Sequence, residues 1–265
     1  MSILENEPGL LDALRGEMTP KFLATRSAEG TPNVVPCVSI LPADDQPDTL
    51  FFGNFLLRKS IKNLQADQRL AVLVITPELR GWILKCDFVE FQRTGPYVDR
   101  QMSSNLLRYN AYTGIRNAGV IRVLSLEGRF AISKLQVALD YLLARLQTRR
   151  VSSGLDLTQV PLPVQREFAR MAAVKVLAWI GEDGYPRLAP ALSIQPAGEH
   201  ALVGWLGGKD IPRPPAGAQA ATNILTFEAI SYQAKGLWQA FGKAGALQVQ
   251  EVYAGGPPYP GGRVA

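Results

Sequence analysis

The sequence predicts a mainly β fold with flanking helices (β-barrel or α+β), built from two tandem copies of one small barrel unit. Two observations carry this prediction: an internal repeat, and many short apolar strand patterns separated by hairpin turns. The chain has 265 residues, which is enough for two small domains. We place the first unit at residues 1–148, a linker at 149–163, the second unit at 164–254 and a flexible Gly- and Pro-rich tail at 255–265.

The repeat consists of two blocks with slightly different offsets. In the first block four residues return 154 positions later (184 − 30): Gly30, Pro32, Pro36 and Ser39 recur as Gly184, Pro186, Pro190 and Ser193. In the second block five residues return 150 positions later (221 − 71): Ala71, Thr76, Lys85, Phe91 and Gly95 recur as Ala221, Thr226, Lys235, Phe241 and Gly245. Two ordered runs of matches indicate a duplication, because single Gly or Pro coincidences would not keep one spacing.

The first unit opens with a short amphipathic helix at residues 10–14. Strand patterns follow at residues 22–26 and 34–41, joined by a turn in which Gly30 supplies the positive φ of a hairpin. The remaining elements are predicted in chain order as a strand at 49–53, a helix at 58–65, strands at 70–76, 82–93 and 120–130, and a helix at 133–148 with Ser133 as its N-cap. Many short strands with turn punctuation favour a small closed or half-open barrel over a βαβ sheet.

Composition narrows the class of function. Cys37 and Cys86 lack CxxC spacing and the chain has one histidine, so no metal site is predicted. The net charge of +5 is spread thinly, which favours a solvated surface over a nucleic-acid interface. No apolar run approaches the ~18–20 residues of a membrane span and no secretory signal precedes the fold, so we expect a soluble, cytoplasmic protein with no membrane partner.

The first unit resembles the pyridoxamine 5′-phosphate oxidase-like family of FMN-binding split β-barrels. The resemblance covers residues 10–130 and rests on the order of these blocks: FLAT at 22–25, GTP at 30–32, VPCVS at 35–39, LFFGN at 50–54, and RKSIKNL at 58–64 leading to RLAV at 69–72. It implies that the unit is a split β-barrel, so that the repeat gives two tandem split β-barrel units, and that FMN lies along the barrel strands, which in the family happens at a dimer interface. A deazaflavin is the alternative cofactor.

The resemblance also implies the site residues. Those implied to hold the phosphate are Arg58, Lys59 and Ser60, and those implied to flank the ring and ribityl chain are Pro36, Cys37, Val38, Ser39, Phe52, Gly53 and Asn54. The implied phosphate site is chemically reasonable, because a helix N-terminus with two cations and a hydroxyl suits a dianion. The alternative is that these cations are only the solvated face of an amphipathic helix.

The chain departs from the family pattern at two places. Cys86 stands where the family often has Gly, while the second unit has Gly236 there; we interpret Cys86 and Cys37 as small buried apolar residues rather than nucleophiles. The second unit has three prolines within residues 208–215, which cannot form the phosphate-binding helix, so Lys209 and Arg213 become isolated loop cations.

The second unit is therefore expected to be structural, opening with a helix at residues 164–171 and packing on the first as a second subunit would. It could complete the flavin pocket with Trp205, Trp238 or Tyr232, although core positions are the stronger expectation for these aromatics.

The predicted function is FMN binding, most simply in a flavin-dependent oxidoreductase acting on a small organic substrate or a reduced cofactor. No catalytic residue is assigned, because the flavin carries the redox chemistry. Oxidation of pyridoxamine phosphate is disfavoured, since Arg263 lies in a Gly-rich tail and His200 in a turn. A non-catalytic flavin-binding or redox-sensing module is the alternative, and an empty structural protein is a third.

Two further questions stay open at this level. A monomer suffices if the second unit completes the pocket, but a homodimer is the alternative because barrel faces commonly pair. The insert at residues 94–119, with Arg100, Arg108, Tyr109 and Tyr112, is either a lid over the flavin or, as we favour, an ordinary surface excursion.

Overall fold

The first unit is an antiparallel sheet of seven strands. The structure is a computed structural model that describes residues 2–104, 115–151, 157–208, 210–256 and 260–265. The strands are β1 (Lys21–Arg26), β2 (Pro32–Pro36), β3 (Leu41–Pro42), β4 (Thr49–Gly53), β5 (Arg69–Ile75), β6 (Arg80–Gln92) and β7 (Ala118–Ala131). They hydrogen-bond in the order β2-β1-β5-β6-β7-β4-β3.

The second unit repeats this topology. Its strands are β8 (Val174–Ile180), β9 (Pro186–Pro190), β10 (Gln195–Pro196), β11 (Ala201–Trp205), β12 (Gln219–Leu225), β13 (Ser231–Phe241) and β14 (Ala244–Ala254). Read from one edge, their order is β9-β8-β12-β13-β14-β11-β10, which is the order of the first sheet strand for strand. The predicted mainly β fold with two tandem units is therefore confirmed.

Six short α-helices flank the two sheets in the described part of the chain. They are α1 (Ile3–Asn6), α2 (Leu10–Arg15), α3 (Arg58–Ala66), α4 (Pro96–Met102), α5 (Lys134–Leu146) and α6 (Leu162–Phe168). Ser133 caps α5 as predicted, because its Oγ accepts the backbone N–H of Gln136 at 3.0 Å. None of the described helices is long and apolar enough to cross a membrane.

The predicted strand at residues 34–41 is too long. β2 ends at Pro36, and residues 37–40 form a turn in which the N–H of Ile40 donates to the carbonyl of Cys37 at 3.2 Å. The buried Lys21 stabilises the turn, because its Nζ donates to the carbonyl of Val38 at 3.2 Å. Apolar patterning alone placed Cys37 in a strand, but in the structure it lies in a turn.

The predicted linker is partly ordered onto the second unit. Val160 is 1% exposed, and its N–H donates to the carbonyl of Glu199 at 2.8 Å. Residues 152–156 of the linker lie outside the described residues. Burial of the apolar Val160 side chain drives this packing, so the polar composition of the linker did not predict it.

The described part of the expected flexible tail also packs. The N–H of Val264 donates to the carbonyl of Val252 at 2.8 Å, and Arg263 forms an isolated bridge with Tyr253. The free edge positions of β14 explain this pairing, since unpaired backbone groups of a strand accept another segment. The tail therefore adds to the sheet instead of extending freely.

The two units pack through the faces of their sheets. One cluster of buried apolar side chains joins them: Phe22, Ala24, Val34, Ala71, Leu73, Ile75 and Ile83 of the first unit, and Val176, Ala178, Leu188, Leu192 and Ala221 of the second, with Val137 of α5. We call this the interface cluster. Continuous apolar packing of this kind makes the two units one folded body.

Polar contacts surround the interface cluster. Lys85 Nζ contacts the carboxylate of Asp183 at 2.8 Å, and the hydroxyl of Tyr185 donates to Asp87 at 2.9 Å. Arg187 pairs with Glu127 across the same interface. These groups are partly exposed, so they contribute less to stability than the apolar cluster does.

We expect Leu188→Ala to lower the free energy of unfolding of the whole chain by about 2–5 kcal/mol, because it opens a cavity in the interface cluster. The measurement is denaturant unfolding followed by circular dichroism, with Leu135→Ala as the control, since Leu135 is 71% exposed. Equal free energies of unfolding of the two variants would contradict the assignment of the interface cluster to the packing between the units.

Candidate functional site

A cleft of about 740 Å³ opens between the two units and is the candidate site. Its volume lies in the roughly 300–1,000 Å³ range of small-molecule sites. The first-unit wall consists of β2, the turn after it, and the start of α3. The second-unit wall consists of the ends of β12 and β14 and the turn between β12 and β13.

Eight of the ten predicted site residues line this cleft: Pro36, Cys37, Val38, Ser39, Gly53, Arg58, Lys59 and Ser60. The other two do not line it. Phe52 is fully buried in the core of the first unit, with its ring against Gly119, where an added Cβ would lie 2.3 Å from the ring. Asn54 is 7% exposed, and its N–H donates to the carbonyl of Asn117 at 3.0 Å.

Strand geometry explains why Phe52 is absent from the cleft wall. Successive side chains of a strand point to opposite faces of the sheet, so neighbours in sequence cannot all face one ligand. Gly53 faces the cleft, and Ser39 Oγ receives its N–H at 3.2 Å. The expected run of adjacent contacts was therefore too broad.

The start of α3 has the features of an anion site. Leu57 at the N-cap provides no side-chain hydrogen bond to the first turn, so the backbone N–H groups there have no capping side chain. Ser60 Oγ accepts the amide of Asn33 at 3.1 Å, which leaves the hydroxyl hydrogen as the one it can donate to a ligand. Arg58 is exposed and lines the cleft.

Lys59 is held over the second unit. Its Nζ lies 2.9 Å from the ring centroid of Tyr253, a cation–π contact between the two walls of the cleft. Burial lowers the pKa of Lys59, with the carboxylate of Glu251 opposing and the cation of Arg263 adding to that shift. Burial removes part of the hydration of the Lys59 ammonium. An anionic ligand beside it would stabilise the charged form, because the ligand supplies an opposite charge.

Hydrogen bonds from two buried side chains stabilise the turn after β2. Lys21 is fully buried, and its Nζ donates to the carbonyls of Gly16 and Val38 at 2.9 and 3.2 Å. The amide of Gln101, also fully buried, donates to the carbonyl of Ser39 at 2.7 Å. These bonds hold the backbone that lines the cleft in one conformation.

Gln101 lies on α4, inside the insert that we expected to be a surface excursion. The described part of this insert is packed instead, because Tyr97 stacks on Phe51 with ring centroids 4.7 Å apart and donates its hydroxyl to Asp45 at 2.9 Å. Arg100 pairs with Asp44. The predicted lid residues Arg108, Tyr109 and Tyr112 lie outside the described residues.

The cysteines are unsuited to nucleophilic roles. Burial raises the pKa of the Cys37 thiol to about 12 and also raises that of Cys86 well above its ordinary range. A thiolate is the reactive form of cysteine, and neither group forms one near neutral pH.

Core positions were the stronger expectation for the second-unit aromatics, and this expectation is confirmed for Trp238. Trp238 is buried in the core of the second unit, and Tyr232 packs against the same core. Neither these residues nor Trp205 line the cleft; its second-unit aromatics are Phe227 and Tyr253. The repeat gave a sequence signal for the position of Phe227, because the preceding residue Thr226 matches Thr76 and both threonines begin turns at the cleft.

In the second unit, α5 covers the position that corresponds to the open cleft of the first unit. The backbone matches closely there: Lys175 Nζ donates to the carbonyl of Leu192 at 3.4 Å, just as Lys21 does to Val38. However, the carboxylate of Asp140 receives the backbone N–H of Gly207, so α5 lies where the first unit has its open cleft.

The loop that replaces α3 in the second unit is not helical in its described residues, as predicted. Arg213 is not free there, because its guanidinium donates to the carbonyl of Leu206 at 3.1 Å. Lys209 lies outside the described residues. The described part of the second unit therefore has no helix at the position equivalent to α3.

No family model and no curated protein sequence matches this chain. Solved structures resemble about half of it. An FMN-binding protein from Syntrophomonas wolfei is 16% identical over 50% of this chain and 88% of its own, with a TM-score of 0.40. HupZ from Group A Streptococcus is 19% identical over 48% of this chain and 94% of its own, with a TM-score of 0.38. An F420 reductase is 21% identical over 45% of this chain and 98% of its own, with a TM-score of 0.36.

The buried lysines predict how stability depends on pH. Burial lowers the pKa of Lys175 from 10.5 to about 7 and that of Lys21 to about 8. Between about pH 7 and pH 9 the unfolded chain keeps these protons while the folded chain loses them, so the free energy of unfolding rises with pH. We expect Lys175→Met to be more stable than the parent at pH 7 and to flatten the rise by about 2 kcal/mol.

The check is urea unfolding at several pH values across this window, with Lys134→Met as the control because Lys134 is exposed. The control should keep the parent slope. An unchanged slope in Lys175→Met would mean that Lys175 stays protonated in the folded protein.

Proposed function

We propose that the cleft between the units binds FMN and that the protein is a flavin-dependent oxidoreductase acting on a small organic substrate or a reduced cofactor. The observation that carries this proposal is the position of α3: its uncapped N-terminus, with Arg58, Lys59 and Ser60, faces a cleft whose opposite wall comes from the second unit. A phosphate would be bound at this end of the cleft and a ring system along β2.

The chemistry of the α3 end fits the FMN phosphate. A dianion there would accept bonds from the hydroxyl of Ser60 and the backbone N–H groups of the first turn, and it would pair with two cations. Lys59 is prepared for this role by its contact with Tyr253, which fixes its ammonium at the boundary between the units. The buried bond from Asn33 orients Ser60 toward the same place.

The region along β2 fits a planar ring. Pro36, Cys37 and Val38 line it with backbone and small apolar groups, and the bonds from Lys21 and Gln101 keep that surface rigid. Gly53 lets the ring of Phe55, which also lines the cleft, pack against the backbone, because a Cβ there would lie 2.7 Å from that ring. When bound, the isoalloxazine supplies the redox chemistry, while these residues position it and exclude water from one face.

One chain contains both walls of the cleft, so a monomer is sufficient for binding in this proposal. The homodimer stays a prediction. The carriers of electrons in the proposed reaction are small molecules, namely the substrate or a reduced cofactor that enters the open side of the cleft.

We expect Lys59→Ala to weaken FMN binding by about tenfold or more, because it removes a charge-assisted contact with the phosphate. The measurement is the absorbance spectrum from 300 to 550 nm after FMN is added and the excess is removed by gel filtration, followed by titration of flavin fluorescence. Lys62→Ala is the matched control, since Lys62 is an exposed residue of the same helix that does not line the cleft.

Retention of FMN by the parent and by Lys62→Ala, with loss in Lys59→Ala, supports the phosphate assignment. A parent protein that retains no FMN contradicts the proposal. In that case the same titration with a deazaflavin tests the alternative cofactor.

Turnover separates the oxidoreductase from a flavin-storage module. We expect the FMN-loaded protein to oxidise reduced nicotinamide in the presence of an artificial electron acceptor faster than an equal concentration of free FMN does. The rate is followed by the loss of nicotinamide absorbance, with the FMN-depleted protein as the control. A rate equal to that of free FMN would favour the storage module.

A further inference from the structure

The α3 end of the cleft has an excess of positive charge. Lys59 Nζ lies 2.9 Å and Lys235 Nζ 5.7 Å from the ring centroid of Tyr253. Arg263 Nη1 lies 3.5 Å from Oε1 of Glu251, which is the one carboxylate of the group. We call these five residues the Tyr253 cluster. Three cations around one carboxylate favour the approach of an anion.

Both carboxylate oxygens of Glu251 are engaged inside the Tyr253 cluster. The hydroxyl of Tyr253 donates to Oε2 at 2.8 Å, and Arg263 contacts Oε1. Burial and the Glu251 carboxylate raise the pKa of Tyr253 to about 12, so the hydroxyl keeps the proton that it donates. In the described part of the chain, the Lys59 ammonium contacts the ring of Tyr253 and forms no ion pair with Glu251. The charge of Lys59 therefore stays available to a ligand.

Arg263 is held against β14 by its own bonds and by those of the tail. Its guanidinium donates to the carbonyls of Gln250 and Ala265 at 3.2 and 3.0 Å. Gly261, which lines the cleft, donates its N–H to the carbonyl of Ala254 at 2.7 Å. The tail therefore forms part of the cleft wall, and Arg263 has a defined position on it.

The Arg263 cation and the Lys59 cation both interact with the charge of Glu251. If Arg263 were removed, Oε1 of Glu251 would lose its cation, and the attraction between Glu251 and Lys59 would no longer be opposed. Such an attraction is stronger at a partly buried site than in water. Glu251 would then compete with an anionic ligand for the Lys59 ammonium.

We infer that Arg263 is a positioning residue: by holding the carboxylate of Glu251, the C-terminal tail keeps Lys59 free to bind an anionic group. Arg263 acts on the ligand through Glu251, and it needs no contact with the ligand itself. The inference rests on the proposed function in treating the anionic group as the phosphate of FMN. The competition for Lys59 applies equally to inorganic phosphate.

The test compares FMN with riboflavin, which has the same ring and ribityl chain but no phosphate. Both are titrated against the full chain by flavin fluorescence, and inorganic phosphate is titrated by calorimetry. We expect Arg263→Ala to weaken the binding of FMN and of phosphate by about threefold to fivefold, because a partly exposed ion pair has a small energy. Riboflavin binding should not change. General damage to the cleft wall would weaken both flavins equally.

Glu251→Gln shows whether the effect passes through the carboxylate. The new amide keeps an oxygen that can accept the Tyr253 hydroxyl, but it has no charge that competes for Lys59. In this background Arg263→Ala should have no further effect on FMN affinity, as a double-mutant cycle would show. Arg263→Lys should keep most of the parent affinity. Arg145→Ala is the control and should keep all of it, because Arg145 is exposed and does not line the cleft.

The outcomes separate this inference from the proposed function. The inference alone is overturned if Arg263→Ala binds FMN as the parent does, loses riboflavin to the same extent, or loses FMN to the same extent in the Glu251→Gln background. If the chain binds phosphate but not FMN, the proposed function fails. Weaker phosphate binding by Arg263→Ala then supports the inference, and equal binding overturns it. A chain that binds neither ligand overturns both.

Discussion

Two apolar sheet faces pack against each other along the interface cluster, and burial of this surface at roughly 25 cal/mol per Å² is what holds the units together. The cleft lies between the same two units and is lined by residues of both. Every feature of the candidate site depends on this packing: the contact between Lys59 and Tyr253, the turn that carries Phe227, and the enclosure of the surface along β2.

The duplication explains why one site is open and its counterpart is not. The two sheets have the same strand order, and Lys21 and Lys175 support equivalent turns. In the first unit α3 brings an uncapped helix N-terminus to the cleft. In the second unit the prolines prevent that helix, and α5 covers the position with Asp140 bonded to Gly207. The second unit has kept its architecture and serves as a wall.

Buried charge has a structural role in both units. Lys21 and Lys175 donate to backbone carbonyls, and burial lowers the pKa of each ammonium. A buried amine that holds a turn by its carbonyls gives a defined backbone at some cost in stability near neutral pH. For Lys21 that backbone is the surface proposed to contact the flavin ring.

Much of the fold and part of the site could be predicted from local patterns. The repeat spacing, the strand at residues 49–53, the helix that begins at Arg58 and the cap at Ser133 all have local physical causes, and the structure shows them. Predictions failed where long-range contacts decided: the strand predicted at residues 34–41 was too long, Phe52 is buried in the core, and the described part of the tail pairs with β14. Gln101 had no local signal, because its role depends on α4 packing behind Ser39.

The sequence by itself determined the duplication, the mainly β class and the loss of the α3 helix in the second copy, because periodicity, turn chemistry and proline geometry act over a few residues. Only the tertiary structure decided which second-unit residues face the first. Tyr253 and Phe227 line the cleft, whereas Trp238 is buried in the core of the second unit. The physical reason is that a side chain's surroundings depend on strands distant in sequence, which no local pattern encodes.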